Sequence, residues 1–90
     1  MNDIKQSSLI NFKKTHSLLA KIIKMIEDDN YCVDIMRHNM AAIGLLRSAH
    51  QKLMEGHLNT CFKKAMQTQN DKRKQEMIDE ILTVIKFVNK

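Results

Sequence analysis

From Tyr31 to Met66 the chain runs 36 residues without a proline or a cluster of turn-forming residues, and its two glycines, Gly44 and Gly56, both fall inside that run. Hairpins and sandwiches need a turn signal every few residues, so a chain punctuated this sparsely cannot build them. The fold class is all-α. The run itself predicts one helix over 31–66, long for a globular protein and suited to the spine of a bundle. Before it, Leu9, Phe12, Leu19, Ile22, Ile23 and Ile26 recur at three- and four-residue intervals. With Leu18 and Met25 widening the stripe, they predict a first helix over about 6–28 whose apolar face is the core. Asp28, Asp29 and Asn30 then interrupt the pattern and are expected to cap the helix that follows. After the polar TQNDKRK segment, Ile78, Ile81, Leu82, Ile85 and Val88 mark a third helix over about 73–88, with Phe87 at its edge. The expectation is a single domain, 1–90, of three helices: short, long, short.

At 43% hydrophobic and 28% charged residues the chain is too apolar for a disordered one. Ninety residues bury only a modest core, so broad apolar stripes point to self-association. The opening MNDIKQSSLINF has no apolar leader core, and no stretch approaches the length of a membrane span. The expectation is a soluble cytoplasmic protein without a membrane partner, whose two cysteines serve as thiols, ligands or redox sensors. The formal charge of +5 suits a polyanion partner, and in a tetramer it would add to about +20. No nucleophile–base pair or nucleotide loop is visible, so an enzyme is not expected.

Three side chains carry chemistry. His57 and Cys61 stand four residues apart, which places them on one face of a helix as a two-point chelate for a soft metal. Cys32 is the natural third ligand. It lies 25 residues before His57, about 37 Å along a straight helix, whereas metal–ligand bonds are about 2.0–2.3 Å. Either the helix folds back near Gly44, or a second copy packs antiparallel and supplies Cys32 to the other chain's His57 and Cys61. The second is expected, since IGLLRSA lacks the residues of a tight helical turn and pairing also covers the apolar stripes. Two thiolates and an imidazole make a soft three-coordinate set, best matched by Cu(I). Zinc, with water or with His50 or Met54 as a fourth donor, stays open. Beside these stand plainer readings: His16, His38 and His50 as surface or packing residues, the methionines as core filler, and Cys32 with Cys61 as an intersubunit disulfide or polysulfide link.

YCVDIM, twenty residues, then HLNTCF resembles the copper-sensitive operon repressor family of small bacterial sensors. The resemblance runs from about residue 5 to Met66 and, past a short insertion at 67–74, to Phe87. It implies Cu(I) held by Cys32, His57 and Cys61 across an antiparallel dimer, dimers paired into a tetramer, and release of operator DNA when the metal binds. It also implies Tyr31 and Glu80 as residues behind the ligands, with the Glu80 carboxylate orienting His57. Persulfide sensors of this group keep the cysteines but lack the histidine, and nickel and cobalt sensors often replace the last cysteine. Family arginines fall here on Asn11 and Ser48. Lys13, Lys14, Lys21 and Arg47 are therefore the candidate DNA contacts, and the lysines bring point charges in place of a planar guanidinium. Two further readings follow: a copper-binding or buffering protein on the same scaffold without specific DNA binding, and a thiol or persulfide sensor.

Overall fold

The structure, a computed structural model, describes residues 3–88, with side-chain surroundings through residue 86. It contains α1 (Asp3–Glu27), α2 (Cys32–His57), a π-helical turn (Leu58–Phe62), α3 (Lys63–Met66) and α4 (Asp71–Val88). No strand occurs among the described residues, as the all-α expectation requires. Phe87 and Val88, expected on the third helix's apolar face, lie outside the described side chains. α2 continues through Gly44 without a break, so the fold-back does not occur there. The expected helix over 31–66 is one helical path, since His57 and Lys63 on either side of the π turn both keep α-helical dihedrals. No helix among the described residues is long and apolar enough to cross a membrane.

The chain divides into two compact units, Met1–Glu55 and Gly56–Lys90. In the first, α1 and α2 form a hairpin. Its buried residues are Ser8, Asn11, Thr15 and Met25 on α1, with Ala42 and Ala49 on α2. Leu18, Ile22, Ile35, His38, Leu45 and Lys52 are half-buried between them. On both helices these positions alternate three- and four-residue steps, the spacing of a coiled-coil seam. This corrects the expected core. Leu9, Phe12, Leu19, Ile23 and Ile26 stay exposed, and only Met25, with half-buried Leu18 and Ile22, joins the seam.

Small residues let the two backbones approach closely, and a polar link fixes their register. Asn11 Nδ2 donates to the Leu45 carbonyl at 3.1 Å, and Lys52 Nζ donates to Asn11 Oδ1 at 3.3 Å. Asn11 is 7% exposed, so without these partners its amide would carry a desolvation penalty of about 1–3 kcal/mol.

The connection between α1 and α2 also departs from expectation. Asp28–Asn30 do not cap α2; they end α1. The Asn30 N–H donates to the Met25 carbonyl at 2.9 Å and the Asp29 N–H to Ile26 at 3.1 Å, the paired bonds of a Schellman motif. Asp29 takes the left-handed position, φ 54°, that this motif demands. A side chain with a Cβ is disfavoured there, so Asp29→Gly is expected to stabilise the fold by about 1 kcal/mol. The urea midpoint at fixed protomer concentration checks this, and an unchanged or lower midpoint would count against it.

The second unit is built on α3 and α4, with Ala65 and Met77 buried. Asn70 caps α4, accepting the Arg73 N–H on Oδ1 at 3.2 Å. That cap is why α4 starts at Asp71 rather than near residue 73.

Candidate metal centre

Cys32 is the first residue of α2, and its thiol is free and exposed. The carbonyl of Tyr31 accepts the N–H groups of Asp34 at 3.0 Å and Ile35 at 3.2 Å, which opens the helix immediately before the cysteine. The Tyr31 ring is 65% exposed. Cys32 therefore sits at the positive end of the α2 dipole, where a negatively charged group is favoured.

His57 closes α2 and is half-buried; Cys61, free and exposed, lies in the π turn that follows. The Lys63 N–H reaches back five residues to the Leu58 carbonyl, the bond that defines the turn. The Thr60 hydroxyl donates to the Gly56 carbonyl at 2.6 Å and lies 3.7 Å from Cys61 Sγ. π turns inside helices occur frequently at functional sites.

Among the described residues of this single chain, no three His, Cys, Asp or Glu side chains converge on one point. The chain supplies a chelating pair on one unit and a lone thiol on the other. Glu80 is exposed on α4, and His50 and Met54, the candidate fourth donors, are half-buried on α2. His16 is exposed, and His38, half-buried in the seam, places Nδ1 2.8 Å from the Asp34 carbonyl.

The candidate DNA contacts Lys13, Lys14, Lys21 and Arg47 are all exposed. Asn11 is buried and Ser48 half-buried, so neither is an outward-facing side chain. Lys24 forms an exposed ion pair with Asp28 at 3.4 Å. Two features escaped sequence reasoning, the Asn11–Lys52 link and the π turn. The available signals were the small residues Ala42, Ala49 and Gly56 at seven-residue spacing, and Thr60 four residues after Gly56.

Fold and side chains together define a small helical protein that presents soft metal-binding groups at both ends of its longest helix. Residues 5–87 match the model of a family described as metal-sensitive transcriptional repressors. A copper-sensing transcriptional repressor CsoR from Mycobacterium ulcerans is 37% identical over 87 residues, 97% of this chain and 72% of the relative. Its counterpart from Mycobacterium bovis is 34% identical over 83 residues, 92% of this chain and 67% of the relative. The copper-sensing repressor RicR of Mycobacterium tuberculosis is 38% identical over 54 residues, 60% of this chain and 56% of that protein. The chain belongs to the metal-sensitive transcriptional repressor family.

Proposed function

We propose that the protein is a cytoplasmic Cu(I)-responsive repressor, which binds operator DNA when metal-free and leaves it when Cu(I) binds at a site shared by two chains. One observation carries the reading: α2 runs unbroken from Cys32 to His57. At about 100° per residue, 25 steps return to within about 20° of the starting direction. Cys32 and His57 thus share one face of the helix while lying too far apart to meet. Ile43, Leu46 and His50 fall on that same face, with Met36 beside it. An antiparallel copy related by a twofold axis between Gly44 and Leu45 would set Cys32 against the partner's His57, with the partner's Cys61 one turn further. It would also set Ile43 against the partner's Leu46 and Met36 against the partner's Leu53, covering apolar side chains that are 37–55% exposed in one chain.

The donor set suits Cu(I). Two thiolates and one neutral imidazole complete a three-coordinate Cu(I) site with a net charge of −1, favourable beside the positive end of α2. Structural zinc would want a fourth protein ligand. The copper-sensing names of the relatives support the same metal, and their repressor function supports operator DNA. Tyr31 and Glu80 would act behind the ligands, with pairs of dimers forming a tetramer.

Fluorescence anisotropy on promoter duplexes across a salt series tests the function. The expected result is sequence-specific binding by metal-free protein and release on adding Cu(I). Lys14→Ala and Lys21→Ala should each lower the slope of log affinity against log salt by about one. Weak binding without sequence preference, unaffected by Cu(I), would sink the repressor reading. It would favour a copper-buffering protein on this scaffold, a reading supported by the inward placement of Asn11. Release by persulfide but not by Cu(I) would instead favour a thiol sensor working through the exposed Cys32 and Cys61.

A further inference from the structure

The π turn places a choice of helical register beside the metal ligands. Its five-residue hydrogen bond, Lys63 N–H to the Leu58 carbonyl, accommodates one residue more than an α turn. In α register the residues after the turn would be rotated by about 100° relative to His57. The Thr60 hydroxyl favours the register observed. Its 2.6 Å bond occupies the Gly56 carbonyl, the acceptor that regular α pairing assigns to the Thr60 N–H. Side-chain bonds of this kind, back to the carbonyl four residues earlier, bend helices. Gly56 is buried, and it brings no side chain of its own to obstruct the contact. A hydroxyl has one proton to give. At 2.6 Å the carbonyl takes it, so Cys61 Sγ, 3.7 Å from the same oxygen, is located by contact rather than by a strong hydrogen bond.

We propose that Thr60 is a positioning residue for the metal site: its bond to Gly56 holds Leu58–Phe62 in π register and so sets Cys61 Sγ relative to His57. The proposal rests on the reading of His57 and Cys61 as metal ligands. Metal–sulfur and metal–nitrogen bonds of about 2.3 and 2.0–2.1 Å leave little tolerance for a misturned ligand. The register therefore decides whether the pair chelates.

The test compares Thr60→Val, which keeps the branched shape and removes the hydroxyl, with Thr60→Ser, which keeps the hydroxyl. Both are measured in the full chain, after matching urea midpoints establish that the fold is intact. Hydrogen exchange of the Lys63 amide in metal-free protein reads the register, and competition with a Cu(I) chelator reads the affinity. In Thr60→Val, Lys63 exchange should accelerate and Cu(I) affinity should fall by about 10–100-fold, the usual loss when a group supporting a ligand is removed. Thr60→Ser should match the parent in both. Unchanged Lys63 exchange in Thr60→Val overturns the proposal whatever the affinity, and so does parental affinity in that variant. Equal impairment in Thr60→Ser also overturns it, because it assigns the effect to packing. If the parent itself binds no Cu(I), the metal reading fails separately, while the exchange measurement still supports or overturns the register assignment.

Discussion

Mixing Cys32→Ala protein with Cys61→Ala protein should restore about one quarter of the parental Cu(I) capacity, although neither variant alone completes a site. The arithmetic follows from twofold symmetry. After exchange of subunits, about half of the dimers are mixed. In a mixed dimer one site draws Cys32 from the Cys61→Ala chain, and His57 with Cys61 from the other chain, so it is complete. The second site lacks both cysteines. Each pure variant leaves every site with a single thiolate and an imidazole, and its affinity should fall by more than the 10–100-fold typical of losing a supporting group. Titration against a competing chelator counts the sites, and X-ray absorption distinguishes a three-coordinate Cu(I) from a two-coordinate one. A mixture that recovers nothing would mean that each chain gathers its own ligands, which the unbroken α2 makes hard to achieve.

The parts of the molecule legible in the sequence were those decided residue by residue. The absence of proline and the scarcity of glycine settle the helical class, because breakers act locally. Cys32, His57 and Cys61 announce a soft donor set because ligand chemistry belongs to the side chain itself. What was misread depends on choices between competing partners. The stripe of Leu9, Phe12, Leu19, Ile23 and Ile26 was taken as core because it is the most apolar face of α1. The hairpin buries Ser8, Asn11 and Thr15 instead.

A helix has two faces to bury when its chain associates with others, and hydrophobicity alone does not say which meets its own chain. Close approach selects small residues for the inner face and leaves the large ones outside. Asp28–Asn30 failed as a capping signal for a related reason. The same residue types serve the end of one helix and the start of the next, and the bond from Asn30 to Met25 decides between them. The π turn turns on whether a backbone N–H reaches back four residues or five, and only Thr60 and Gly56 hint at the answer.

Ile43→Lys should convert the protein to a helical monomer and abolish the three-coordinate Cu(I) site, with Cys32, His57 and Cys61 all left in place. Ile43 is 38% exposed in the single chain and takes no part in the seam between α1 and α2, so the hairpin should survive. In the proposed antiparallel pair it lies beside the twofold axis, facing the partner's Leu46. The substitution therefore acts twice, removing an apolar contact from each side and bringing two ammonium groups near the axis. Burying an isoleucine contributes about 1.5–3 kcal/mol, so losing two costs about 3–6 kcal/mol before any repulsion. That weakens dimerisation by about a hundredfold to ten-thousandfold. Sedimentation should find monomer, circular dichroism should find retained helix, and Cu(I) should bind weakly through His57 and Cys61 alone. A monomer that still holds Cu(I) in three-coordinate form at parental affinity would show that the separation of Cys32 from His57 along α2 had been misjudged. A dimer that tolerates lysine at this position would move the pairing surface elsewhere, with the exposed stripe of α1 as the next face to test.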